Sequence, residues 1–128
     1  LDGVPRTFPG LMRAYKLQLR ASKAGFDWPE VLPVLEKVNE ELEEVRDVIA
    51  QNAGEERLRD EVGDLLFACA NLARHLKVDP EIALRQSNYK FETRIRKIES
   101  WLKQTDREPQ KVSSDELDVL WEKAKADE

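Results

Sequence analysis

The residues best suited to chemistry are four carboxylates in two matched pairs. Glu41 and Glu44 are three apart, as are Glu61 and Asp64. On a helix, residues three apart lie on one side, so each pair can converge on a common point. Each carboxylate also sits one residue before an apolar position: Leu42, Val45, Val62 and Leu65 follow them in turn. If the two segments pack as an antiparallel hairpin, the pairs face each other at the border of the apolar seam. Four such side chains would repel unless a divalent cation neutralised them. With no histidine in the set, Mg²⁺ or Mn²⁺ suits the oxygen donors better than zinc. The competing reading is an ordinary solvated Glu-rich face, and spacing alone leaves both open.

Gly63 stands between Glu61 and Asp64. A glycine inside a helix costs roughly 1 kcal/mol relative to alanine, so its place there asks for a close neighbour, either ligand or packing. Complementary charge comes later. Lys90 and Arg94 lie four apart and precede Phe91 and Ile95 by one residue, the offset the carboxylates show. They suit a phosphate chain held by metal on its other side, or else a solvated basic face. Trp121 and Lys125 are again four apart. The Trp could clamp the bundle, or it could stack on a nucleobase while the Lys reaches a phosphate.

The elements that must position these groups read as helices. Leu, Glu, Lys, Arg and Ala dominate, and β-branched residues do not alternate with polar ones. Punctuation divides the chain into about five helices. The first runs from Pro9 to Gly25, a C-terminal stop. The second is capped by Asp27, with Trp28, Pro29 and Glu30 in its first turn, and ends near Asn52; Gly54 follows it. The third spans about Glu55 to Lys77. Asp79-Pro80 opens a fourth that reaches about Lys103. Residues 105–112 read as a loop, and Ser113 with Glu116 as a capping box for a short final helix. The three long helices carry seams at alternating four- and three-residue steps: Val31 to Ile49, Leu58 to Leu76 and Leu84 to Leu102. That spacing predicts near-parallel or antiparallel bundle packing. Cys69 falls on the third helix's seam and is expected in the core. His75 is expected to be structural.

Composition narrows the functional classes. The 128 residues carry 41% hydrophobic and 37% charged side chains, enough for a single domain with its own core. One Cys and one His exclude a disulfide framework and an ordinary structural zinc site. No apolar run approaches the roughly 18 residues of a membrane span, so no membrane partner is expected, and a reducing cytoplasm is the expected home. The net charge of −5 is uneven. Residues 36–64 hold eleven acids against four bases, whereas residues 85–103 hold six bases against two acids. The overall sign disfavours steering onto a nucleic acid polymer. No GxxxxGK[ST] or GxGxxG phosphate loop is present. The third-helix pair ends in Asp64 rather than His, unlike a ferritin-like di-iron site. Leu1 in place of Met is expected of a fragment.

The segments Glu40-Glu41-Leu42-Glu43-Glu44 and Glu61-Val62-Gly63-Asp64 together resemble the EExxE…ExxD signature of MazG nucleoside triphosphate pyrophosphohydrolases. Arg6 to Ala14, Gly25-Phe26-Asp27-Trp28, Asn71 to Leu76, Asn88 to Arg94 and the surroundings of Trp121 extend the likeness over the whole chain. The likeness is greatest to the C-terminal of the two domains in longer bacterial MazG proteins, which would make residues 1–128 one domain of a larger chain. The resemblance implies an all-α bundle that forms a homodimer or larger homo-oligomer. It implies Mg²⁺-dependent hydrolysis of NTP or dNTP to monophosphate and pyrophosphate. Glu41, Glu44, Glu61 and Asp64 map onto its metal ligands, Lys90 and Arg94 onto phosphate contacts, and Trp121 and Lys125 onto nucleotide contacts. Either Glu40 or Glu44 could orient the attacking water. The alternative from another class is a non-catalytic dimerisation or regulatory module of a larger MazG protein.

Overall fold

A computed structural model describes all 128 residues, and every regular element in it is helical. The helices are α1 (Gly10–Lys23), α2 (Val31–Ala50), α3 (Glu55–His75), α4 (Pro80–Gln104) and α5 (Ser114–Ala126), with a 3-10 turn at Pro109–Lys111. The backbone divides into two compact units, Leu1–Ala83 and Leu84–Glu128.

In the first unit α2 packs along α3, and α1 packs on α3. The α2–α3 connection is short because the chain turns at once. Asn52 takes a positive φ of 51°, and Ala53 N–H reaches back to the Val48 carbonyl, closing the helix end. Gly25 ends α1 in the same way at φ 97°, as its sequence position predicts. In the second unit Ile98 and Leu102 of α4 bury against Val112 and Ala124, flanked by Trp101, Leu117, Leu120 and Trp121.

Two local expectations change and one holds. Asp27 does not cap α2, which begins four residues later at Val31 with Glu30 before it. Pro33 then falls in the first turn, where its missing N–H is no loss because no intrahelical acceptor exists there. Asp79 does cap: its Oδ1 accepts from the N–H groups of Glu81 and Ile82 at 2.9 and 3.3 Å. At α5 only half of the capping box forms. Ser113 Oγ accepts from Glu116 N–H at 3.2 Å, while the Glu116 carboxylate pairs with Arg107.

The seams also divide. On α2 the buried positions are Val34, Glu41 and Val48, with Val38 and Val45 half-buried, whereas Leu35, Leu42 and Ile49 of the expected seam are exposed. On α3 Leu58, Leu65 and Leu72 turn partly inward, while Val62 and Cys69 are exposed, contrary to the core place expected for the thiol. The reason is geometric. A seven-residue repeat holds two rows of side chains, and each helix of this hairpin spends one row on its neighbour and leaves the other open.

Candidate active site

The α2–α3 hairpin brings carboxylates together across the two helices. Glu41 from α2 and Glu61 and Asp64 from α3 each offer an oxygen within 4.8 Å of the others. Their burial is graded: Glu41 is buried, Glu61 half-buried and Asp64 exposed. Loss of surrounding water raises the pKa of Glu61, and the charges of Glu44, Asp64, Asp60 and Glu41 push it further in the same direction. Glu44 therefore lies outside the convergent three but close enough for its charge to act on them. Lys37, four residues before Glu41 on α2, sits 3.1 Å from that carboxylate, and its own pKa is raised by the Glu41 bond first and by Glu40 next. A lone ammonium at the edge offsets part of the repulsion and leaves the rest for a cation. Oxygen donors without imidazole or thiolate fit a hard divalent ion.

Gly63 sits beside this group, and a Cβ built on it would meet nothing within 4 Å. Neither helix packing nor a close chain neighbour within this protein accounts for the glycine.

A pocket of about 270 Å³ adjoins the carboxylates. Glu41 and Asp64 line it together with Trp28, Phe67, Ala68 and Asn71. Asp64 and Asn71 are seven residues apart on one face of α3, so the pocket extends about 10 Å along that helix. Beyond Asn71 lies a polar network that the sequence did not announce. Asp27 accepts from Arg74 at 2.7 and 3.1 Å, from Ser22 Oγ at 2.8 Å and from Trp28 N–H at 2.9 Å, and it lies 2.9 Å from His75 Nε2. The Arg74 guanidinium first, then Ser22, Trp28 and His75, hold the Asp27 carboxyl well below the usual range. His75 is structural, as expected.

Asn71, Lys37 and Trp28 were missed as site residues. The i, i+7 relation of Asp64 to Asn71 and the i, i+4 relation of Lys37 to Glu41 were the available signals. Asp27, two residues before Pro29, looked like a cap, whereas Arg74 and His75, which bind it, are 47 and 48 residues away.

The second unit gathers the basic candidates. Arg94 makes a two-pronged pair with Glu128 at 2.6 and 3.1 Å and lies 5.1 Å from the Trp121 ring centroid. That pair raises the Arg94 pKa and lowers that of Glu128. Phe91 and Trp121 stack at a tilt, with centroids 5.8 Å apart. Lys125 sits 3.9 Å from Glu122, and Lys90 is exposed. Arg94, Trp121 and Phe91 thus form one cluster. Trp121 also packs on the cluster of Ile98, Leu102, Val112 and Ala124 within this unit.

A family profile described as the MazG nucleotide pyrophosphohydrolase domain matches residues 24–99. The chain belongs to the MazG family. It is 43% identical over 132 residues to a nucleoside triphosphate pyrophosphohydrolase of Escherichia coli strain K12, a match that covers 100% of this chain and 49% of that protein. It is 42% identical over 117 residues to the nucleoside triphosphate pyrophosphohydrolase/pyrophosphatase MazG of Thermotoga maritima, covering 91% of this chain and 44% of that one. An uncharacterized protein, YabN, of Bacillus subtilis matches at 43% identity over 128 residues, all of this chain and 26% of its own length. The chain thus spans about half the length or less of the curated relatives it matches. No helix is long and apolar enough to cross a membrane.

Proposed function

We propose that residues 1–128 form one MazG-type catalytic domain that hydrolyses nucleoside triphosphates, ribo or deoxy, to the monophosphate and pyrophosphate. The observation that carries this reading is the convergence of Glu41, Glu61 and Asp64 within 4.8 Å, in a chain of the MazG family. Water oxygen bonds to the α-phosphorus, the bond from that phosphorus to the bridging oxygen breaks, pyrophosphate leaves, and the water's proton passes to solvent or a carboxylate. Glu41, Glu61 and Asp64, with Glu44 beside them, would hold Mg²⁺ or alternatively Mn²⁺. When bound, such an ion neutralises phosphate charge and polarises the phosphoryl oxygens.

The chain's own groups do the rest. Glu44 is available to accept a proton from the incoming water, with Glu40 the alternative on the same helix. Lys37 stays charged beside Glu41 and lines the adjoining pocket. The family resemblance assigns Lys90 and Arg94 to phosphate contacts and Trp121 and Lys125 to nucleotide contacts. Arg94 offers a planar fork that already takes a carboxylate in two-pronged fashion, the geometry a phosphate needs. The exposed row of Leu35, Leu42 and Ile49 supports a homodimer or larger homo-oligomer, and the absence of any disulfide-forming pair of cysteines suits a cytoplasmic setting. A purely structural dimerisation module would share that apolar row but has no use for three carboxylates held against one another.

The deciding experiment incubates the protein with NTPs and dNTPs plus Mg²⁺ and assays pyrophosphate and orthophosphate separately. Pyrophosphate release that falls by a factor of about 100 or more in Glu41→Gln and Asp64→Asn is expected. No turnover with any triphosphate and no Mg²⁺-dependent nucleotide binding would overturn the assignment. Orthophosphate in place of pyrophosphate would move the attack to another phosphorus and overturn the stated reaction.

A further inference from the structure

The pocket beside the carboxylates ends in a side chain whose hydrogen-bonding polarity is fixed. Asn71 Oδ1 accepts twice from Arg74, from Nε at 3.0 Å and from Nη2 at 2.9 Å. A guanidinium has donors only, so the amide oxygen must face Arg74 and the amide NH₂ is the end left free. Arg74 cannot turn away to release it. Its side chain is only 9% exposed, and both of its terminal nitrogens are claimed by Asp27. Asp27 is held in turn by Ser22 and His75. The network as a whole keeps one amide from flipping.

The rest of the pocket suits a flat ring. Trp28 and Phe67 present aromatic surface that is 54% and 48% exposed. At about 270 Å³ the space is smaller than the roughly 300–1,000 Å³ of sites that enclose drug-sized ligands, so it holds a base and not a whole nucleotide. Asp64 marks the end where the phosphates would be bound. Asn71 lies about 10 Å further along α3, where it meets the edge of a base remote from the sugar.

We propose that this pocket takes the nucleobase of the substrate and that Asn71, locked as a donor by Arg74, selects bases with an oxo group on that outer edge. These are the 4-oxo pyrimidines and 6-oxo purines, in preference to their 4-amino and 6-amino counterparts. The inference rests on the nucleotide pyrophosphohydrolase reading and names its substrate class. An exocyclic oxygen gives the NH₂ group an acceptor. An exocyclic amino group sets donor against donor and leaves both without partners, which costs more than the bond itself is worth. Stacking on Trp28 and Phe67 alone would accept every base; a fixed amide would not.

The test compares pairs that differ on this edge, UTP with CTP and ITP with ATP, by kcat/KM for pyrophosphate release with Mg²⁺. The same pairs are compared by equilibrium binding of their non-hydrolysable α,β-imido analogues. The oxo member is expected to lead by about 10-fold in each pair. Asn71→Asp keeps an oxygen toward Arg74 and turns an acceptor into the pocket, so the ratio should invert toward CTP and ATP. Its added negative charge acts on both members of a pair and cancels in the ratio. Asn71→Leu should bring the ratio to about one, and circular dichroism checks that both variants fold. Equal kcat/KM within each wild-type pair overturns the inference while leaving the pyrophosphohydrolase in place. Absence of turnover overturns the enzyme reading, and the imido analogues then decide the pocket: preference for the oxo member supports it, and equal or absent binding sinks it.

Discussion

Asp27→Ala removes every partner from the hub that joins the α1–α2 connection to the end of α3. Five hydrogen-bond contacts disappear: two from Arg74 and one each from Ser22, Trp28 and His75. Hydrogen bonds to charged groups contribute about 1.5–3 kcal/mol each when buried. The Asp27 side chain is 25% exposed, so the solvent-facing members count for less, and a total loss of about 2–3 kcal/mol is expected. Unfolding entropy near 2.1 cal/mol/K per residue makes each kcal/mol worth about 4–6 °C, whether the whole chain or the first unit unfolds. The melting temperature should therefore drop by about 8–18 °C. The pH dependence supplies an independent check. The folded-state pKa of Asp27 is depressed, so its stabilisation is complete above the unfolded value, near 3.8, and is lost as pH falls below it toward the folded value. Wild type and Asp27→Ala should differ fully at neutral pH and converge in acid. Calorimetry or circular dichroism melts at several pH values measure both. A drop of less than about 2 °C at neutral pH, or a gap that persists undiminished to about pH 2, refutes the reasoning.

Three further outcomes follow from the hairpin. Without added metal, Asp64→Asn relieves repulsion and should melt no lower than wild type, whereas Mg²⁺ should raise the melting temperature of wild type and not of the variant; differential scanning fluorimetry with and without EDTA reads this. Gly63→Ala should stabilise α3 by about 0.5–1 kcal/mol, because the added methyl enters open space; chemical denaturation measures it, and a parallel loss of pyrophosphate release would show that a ligand or partner needs the space. Leu42→Asp with Ile49→Asp places charge on the exposed α2 row and should reduce the particle mass in light scattering without lowering helix content. An unchanged mass would place any assembly surface elsewhere.

The helices were legible in the sequence because their stops are local. Gly25 and the Asp79-Pro80 pair act within a few residues, and the structure ends and starts helices where they predict. The convergence of Glu41, Glu61 and Asp64 was legible as well, since it follows from three-residue spacing once two helices are antiparallel. Asp27 was misread because its spacing to Trp28 and Pro29 satisfies a capping pattern, while its strongest partner is 47 residues away. Cys69 was misread for a different reason. Seam spacing shows that a position is apolar without telling which of two adjacent rows the neighbouring helix covers. Glu44 shares the spacing of its companions but is exposed and lies outside their convergence.

The carboxylates of the hairpin come from the interiors of α2 and α3, about one and a half turns or more from either end. Each residue added to a helix turns everything beyond it by about 100°. One inserted or deleted residue between Lys37 and Glu44, or between Glu61 and Asn71, would swing an oxygen off the cluster or the amide out of the pocket, even if the helix itself formed perfectly. Changes of length are therefore better tolerated in the connections, at residues 51–54, 76–79 and 105–113, than in those stretches. In those two helical stretches a working variant can differ by substitution but not in residue count.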